Sequence, residues 1–530
     1  MGDNQYYALA ASVRLKDIIS YAPNRATLHR IKNNDPGLTG LAIAEEFEED
    51  GDYIPMEGDD LGWLGYFIGA NEKLSFLYLS YLPGGSEQVE KFFIGVQRNK
   101  SIKHVVIYDD ILNEGFSAMN LPHVTTMTFE CRQPPERENA KYFALGLRRC
   151  KSLKKYNGRV TSEIVASLST LPMLEHIAIW TEEWEMTISK DECVALRDLL
   201  MNATELKRLD LRGVGLGDDG LELLAEGLAC NSALNDGVLD LSINIIGDRG
   251  VQALASSLAG NGKLRELRLS NNNFGDKGVG ALVESLAQNR ALRVLSISGN
   301  TSITETGVRA TLQSRTSALE KLHLDRINIG AEGGKILADA LSINKSLVSL
   351  SLRCIEADMS IRDDGLRALA AGLSRNSTLQ ELDLSGNTAI TAAGLRSLKQ
   401  YFRSPLCALE KLSIQNISFG DEGAYALADA LGQNKSLESL CFGGRVITSI
   451  TSKGWKAFLK LLCDTSSPNS LYLSNHTLIE LDGWWHRAGS VRESINNWLF
   501  FNKCYGTRND FKRFNAVAEL EEEERRLMQV

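Results

Sequence analysis

Between residues 206 and 442 aliphatic residues recur in one phrase, L-x-x-L-x-L, spelled "LKRLDL", "LRELRL", "LRVLSI", "LEKLHL", "LVSLSL", "LQELDL", "LEKLSI" and "LESLCF". Its alternating end predicts a short strand with one apolar and one polar face. A turn such as "IGDRG", "FGDKG" or "FGDEG" follows, where glycine supplies backbone conformations that other residues disfavour. Apolar residues then return at helical spacing, as at Val279, Leu282, Val283 and Leu286, which predicts an amphipathic helix. An Asn-x-x-Leu join follows several of the helices, at Asn289, Asn344, Asn376 and Asn434. We expect these asparagines to cap the helices in the left-handed conformation.

The middle apolar residue of each phrase serves as a marker: Leu209, Leu239, Leu267, Leu295, Leu322, Leu350, Leu382, Leu412 and Leu440, at intervals of 27 to 32 residues. A strand–turn–helix unit of this size cannot cover its own apolar faces, so neighbours must stack. The unit resembles the leucine-rich repeat of the ribonuclease-inhibitor class. That resemblance implies an α/β leucine-rich repeat solenoid, a horseshoe with a parallel β-sheet on its concave face and helices on its convex face. Weaker phrases extend the pattern through Leu77, Val105, Met127, Tyr156 and Ile177, with an opening strand in "LTGLAIA" and a last one around Leu471. About 16 units are expected over residues 38–475, irregular before 206, and the two shortest spacings, after Val105 and after Tyr156, leave no room for full helices. Residues 1–37 are expected to cap the front through Leu9, Val13, Leu15 and Ile18. Residues 476–530 should cap the back through Val491, Ile495, Trp498 and Leu499 and end in a charged helical tail, "AELEEEERRLMQV".

Periodicity also decides a competing motif. "GVGLGDDG" contains Gly215-x-Gly217-x-x-Gly220 between a strand and a helix, the spelling of a dinucleotide-binding loop. Yet Gly217 and Gly220 have counterparts at Gly247 and Gly250, Gly275 and Gly278, and Gly420 and Gly423. The glycines are therefore read as repeat punctuation. "GAEGGKI" at 330–336 is one residue short of a phosphate loop and ends in Ile336. His104, His176 and His323 fall on outward strand positions of different repeats, so no metal cluster is expected. No catalytic constellation stands out, and neither an enzyme nor a bound cofactor is expected.

Charge and composition narrow the partners. The 530 residues are 43% hydrophobic and 24% charged, with a net charge of −9, and no basic run offers itself to nucleic acid. Nine scattered cysteines without a C-x-x-C fit a reducing compartment. With no signal architecture and no long apolar stretch, a cytoplasmic protein without membrane contact, monomeric by itself, is expected. An acidic insertion, nine acids without a base from Glu45 to Asp60, reads as a solvated loop.

A repeat array of this length suits a protein partner. Outward strand positions carry Phe76, Tyr78, Tyr81, Tyr108 and Trp180, then Arg208, Asp210, Arg212 and Asp240, then Glu266, Arg268, Lys321, His323, Asp325 and Arg326, fading to Ser413, Asn416, Gly443 and Gly444. Exposed aromatics dominate interface energetics. The partner-binding candidates are Phe76, Tyr78, Tyr81, Tyr108, Trp180, Arg208, Asp210, Arg212, Arg268 and Asp325. The expected function is a non-catalytic scaffold binding a protein on the concave face. The resemblance extends to GTPase-activating proteins for Ran, which makes GTPase regulation the alternative, and a small-ligand pocket beneath residues 180–192 is a third reading.

Overall fold

The computed structural model describes residues 3–505, apart from 11, 20, 46–51, 57–58, 132–136, 181–186, 231–233, 235, 314–317, 330–331, 355, 357–359, 444–449, 465, 468–469, 471–472 and 483–490. The charged tail, residues 181–186 of the 180–192 insertion and much of the acidic insertion lie outside the described residues. Two units divide the chain: residues 1–245 with 260–267, and residues 246–259 with 268–530.

In the first unit the strands are β1 (Gly40–Ile43), β2 (Phe76–Leu79), β3 (His104–Tyr108), β4 (Thr126–Glu130), β5 (Lys155–Gly158), β6 (His176–Ala178), β7 (Arg208–Asp210) and β8 (Gly237–Asp240). Each pairs in parallel with the next in chain order. Their register sets Leu41, Leu77, Val105, Met127, Tyr156, Ile177, Leu209 and Leu239 side by side, each at most 1% exposed. β9 (Leu264–Arg268) falls where the units divide.

The second unit repeats this arrangement with β10 (Val294–Ser296), β11 (Lys321–His323), β12 (Ser349–Ser351), β13 (Glu381–Asp383), β14 (Lys411–Ser413), β15 (Ser439–Cys441) and β16 (Glu480–Asp482). Its buried row runs from Leu295 through Leu322, Leu350, Leu382, Leu412 and Leu440 to Leu481. Burying each such side chain contributes about 1.5–3 kcal/mol. The fold is an α/β leucine-rich repeat solenoid.

Helices return the chain between strands, and their lengths follow the spacing. Between β3 and β4 only two 3-10 turns fit, Asp109–Ile111 and Glu114–Ala118, and between β5 and β6 only the seven-residue helix Ser162–Leu168. Where spacing is longer the helix is full, as in Gly217–Cys230. The helices Leu61–Ala70 and Gly85–Val96 approach backbone to backbone: a Cβ on Gly65 would lie 2.3 Å from the Phe92 carbonyl oxygen.

In many of the repeats an asparagine binds the repeat to the one before it. The expected left-handed caps are absent: Asn344 has φ −70° and ψ 133°, and Asn289, Asn376 and Asn434 are not among the residues of positive φ. Their side chains do the work instead. Asn376 donates from Nδ2 to the Leu341 carbonyl at 2.8 Å and the Asn344 carbonyl at 3.1 Å, while its Oδ1 accepts from the Thr378 and Leu379 amides, both at 2.9 Å. It thus satisfies orphan carbonyls left by the preceding helix and starts its own strand. Asn71, Asn99, Asn289, Asn434 and Asn475 repeat the scheme.

Past the strands a second set does the same. Asn244 accepts from the Val214 and Leu216 amides, both at 3.1 Å, and donates to the Leu211 carbonyl at 2.7 Å. The turn aspartates reach forward: Asp421 accepts from the Thr451 amide at 2.7 Å and the Gly454 amide at 3.1 Å, and Asp248, Asp276 and Asp363 act alike.

The turn glycines divide. Gly217 and Gly420 are left-handed, at φ 62° and 59°, whereas Gly247 and Gly275 are extended, at φ −97° and −120°. Their shared letter therefore does not mark one backbone conformation.

The ends depart most from expectation. Asn475 opens the final phrase, so the strand expected around Leu471 is Glu480–Asp482 instead, with Leu481 beside Leu440; Leu471 itself lies outside the described residues. At the front Leu9 is 43% exposed and Val13, Leu15 and Ile18 are half-buried. Burial there comes from Tyr6, edge-on to Trp63 at 5.0 Å between ring centroids, and from Leu28 and Ile31 of the helix Ala22–Lys32. The Tyr6 hydroxyl donates to Asp60, which caps the helix Leu61–Ala70. At least this acid of the insertion is structural. At the back, Val491, Ile495, Trp498 and Leu499 of the helix Val491–Tyr505 are buried, and Asn502 donates to the Leu478 carbonyl at 2.7 Å.

Replacing Asn376 by alanine orphans four backbone groups, two of them buried, and we expect it to cost about 3 kcal/mol in urea denaturation. Asp421→Ala removes an exposed cap and should cost about 1 kcal/mol in the same measurement.

Candidate functional site

The outward positions of the first unit form three rows across the strands, with neighbours about 4.8 Å apart. The first holds Phe76, His104, Thr126, Lys155, His176 and Arg208, and the second Tyr78, Val106, Thr128, Asn157, Ala178 and Asp210. Tyr108 and Glu130 begin the third. Strand alternation alone puts these side chains opposite the buried markers.

Four rings gather on β2 and β3. Phe76 and His104 meet edge to face at 5.0 Å, and Tyr78 and Tyr108 tilt together at 5.3 Å. The Tyr108 hydroxyl donates to Glu130 Oε2 at 3.3 Å, and with Tyr78 and Glu130 beside it that hydroxyl is held protonated far above the usual tyrosine range. His104 lies 3.2 Å from Thr128 Oγ1, and burial lowers its pKa, favouring the neutral ring. All four rings remain half-buried. The patch is rigid and amphipathic, of the kind that supplies contact area at small entropic cost.

Other candidates lie apart. Tyr81 is half-buried beyond the end of β2 and Trp180 beyond the end of β6, three strands from β3. Arg208 pairs with Asp210 at 3.2 Å, and the Arg212 amide donates to the same carboxylate at 3.2 Å. Asp240 is 2% exposed and accepts from the Ser242 amide at 3.0 Å, which removes it from the solvated wall expected there. Arg268 and Asp325 belong to the second unit. Asp325 accepts from Ser351 Oγ at 2.5 Å and the Arg353 amide at 2.9 Å, and Arg326 pairs with Glu356 at 3.1 Å.

Lys155 escaped the sequence reading. Its phrase, "LKKYNGR", has a tyrosine as marker, and only the position before that marker reveals Lys155 as the counterpart of Arg208.

At the supposed dinucleotide loop four backbone amides are already engaged. Gly213 donates to the Ser242 carbonyl, Gly217 to the Asn244 carbonyl, and Val214 and Leu216 to the Asn244 side chain. Its left-handed glycines serve a turn welded to the next repeat. A cavity of about 100 Å³ lies among Leu168, Leu174, Ile177, Leu199 and Leu206, at the strand-entry edge and away from the outward rows. Among the described residues no group of three His, Cys, Asp or Glu could hold a metal, and no helix is long and apolar enough to cross a membrane. Eight of the nine cysteines are free among the described residues, and burial pushes the Cys150 and Cys193 thiols up to about 11.

Comparison with known proteins agrees with this architecture. A leucine-rich repeat family model matches residues 203–225, 238–255, 260–283 and 375–399. Ribonuclease inhibitor from Sus scrofa is 27% identical over 58% of the chain and 74% of its own length. NACHT, LRR and PYD domains-containing protein 3 from Bos taurus is 26% identical over 54% of the chain. The chain spans 27% of that relative's length. Among solved structures, the TLR13–ssRNA13 complex aligns over 79% of this chain and 57% of that one, with a TM-score of 0.47 and 18% identity. The repeat phrase, the parallel strands in chain order, the family model and the ribonuclease inhibitors agree: the protein is a leucine-rich repeat protein of the ribonuclease-inhibitor-like class.

Proposed function

We propose that this protein is a non-catalytic scaffold whose partner, another protein, seats on the outward sheet face of the first unit. The leucine-rich repeat fold is compatible with protein–protein interaction. The observation that carries the finer reading is the ring cluster of Phe76, His104, Tyr78 and Tyr108, half-buried on a rigid sheet with no chain segment described above it. Interfaces concentrate their energy in aromatic residues of this kind. Ribonuclease inhibitor, a relative covered over most of its length, is named for a function of the same broad type. Regulation of a GTPase gains no residue here, since the acidic stretch of the tail lies outside the described residues.

Affinity capture from native lysate with mass-spectrometric identification tests this reading. The intact protein is compared with a Tyr78→Ala, Tyr108→Ala variant and with a helix-side control, Leu145→Ala, Met201→Ala. We expect one stoichiometric partner to fall about tenfold or more in the aromatic variant and to persist in the control, in line with a loss of at least 1.4 kcal/mol. Equal capture by all three would remove the sheet face from the binding surface.

A further inference from the structure

One stretch of the outward face is electrostatically unbalanced. Lys155, His176 and Arg208 occupy the same register position on β5, β6 and β7, directly opposite one another. Lys155 and Arg208 thus stand two strands apart, about 10 Å, with no acid between them in that row. The same row of the second unit avoids this: it reads Lys321, Ser349, Glu381, Lys411, Ser439 and Glu480, with Lys411 paired to Glu381 at 3.5 Å and Ser439 donating to Glu480 at 2.6 Å.

Neighbouring acids leave the imbalance in place. Glu175 pairs with Lys154 and Lys207, each at 3.0 Å, and the two ammonium groups hold its carboxyl down at about 2. Asp210 takes one edge of Arg208. Lys155 has no ion-pair partner among the described residues, and the exposed end of its side chain stands on the open face. The His176 ring makes no side-chain hydrogen bond among them either. Burial lowers its pKa first, and Lys155, Arg208 and Lys207 lower it further against the opposing pull of Glu175.

Resting on the function proposed above, we infer that this row receives the carboxylates of an extended acidic segment of the partner, while an apolar residue of the same segment seats on Tyr78 and Tyr108. Charge complementarity selects the acid, and the rings select its neighbour. From β3 to β5 and β6 is about 10–14 Å at the usual strand spacing. At about 3.4 Å per extended residue, the acids follow the apolar residue by three to four positions. Asp210, on the next row, repels an acid displaced toward the strand ends and so sets the register.

Fluorescence anisotropy with the full chain tests this. The probe is a labelled decapeptide of serine and glycine carrying one leucine and, three and four residues on, two glutamates; its comparator carries glutamines. We expect the glutamate peptide to bind at least about tenfold tighter, the preference to vanish in Lys155→Gln, Arg208→Gln, and the His176 ring pKa to rise on binding in a histidine NMR titration. Lys155→Gln alone should melt no lower than the parent, because Lys155 is exposed and makes no ion pair among the described residues. Equal affinity for the two peptides, no binding of either at about 1 mM, or a preference unmoved by the double substitution overturns the inference. Lysate capture separates the two readings. A partner lost by Tyr78→Ala, Tyr108→Ala but kept by Lys155→Gln, Arg208→Gln sinks this inference and leaves the scaffold standing. A partner kept by the aromatic variant sinks both.

Discussion

The structure depends on the buried side-chain amide that joins one repeat to the next. A strand of three to five residues followed by a helix leaves carbonyls at the helix end and amides at the turn with no partner of their own. The asparagine side chain carries its donor and its acceptor on separate atoms, and Asn376 uses both at once, backward to Leu341 and forward to Leu379. No repeat is complete without its neighbour. Hydrophobic burial along the marker rows drives the stacking, but the amides decide its register, because an unsatisfied buried polar group costs as much as a lost aliphatic contact.

That division of labour frees the opposite face. Where a strand is fixed from within, by its inward marker and in many repeats by an asparagine, most outward positions are released from that duty, Asp240 and Asp325 excepted. Much of the second unit's row spends them on local neutrality, as at Glu381 and Lys411. The first unit's outward face holds four packed rings and then Lys155, His176 and Arg208, with no acid in their own row. Both features are useful to a protein that binds. The same kind of join engages the glycine loop, where the Asn244 side chain takes the Val214 and Leu216 amides.

Legibility varied with the physical source of each signal. The strands from Leu209 to Leu440 were evident because a two-residue alternation followed by a helical stripe has no other reading at that period. The reduced segments after Val105 and Tyr156 were evident from arithmetic alone. Asn475 was missed as the start of the last phrase because "NSLYLSN" imitates a strand more closely than "LIELD" does. Aspartates such as Asp421 were quoted without a purpose: a cap that reaches into the next repeat has no local signature. At the front, Leu9 and Val13 looked like a cover, yet Tyr6 and Trp63 supply one, through a contact 57 positions apart in the chain.

The sequence by itself determined the repeat, its period, the inward row of each strand and the ring-bearing outward positions, because these follow from periodicity and strand alternation. Only the tertiary structure decided which outward residues meet. It set Phe76 on His104 and Tyr78 on Tyr108, withdrew Asp240 and Asp325 into hydrogen bonds, and lined Lys155 up with His176 and Arg208. Those relations depend on the pairing of strands 21 to 32 residues apart, whose register is set by buried markers and amides elsewhere in each repeat.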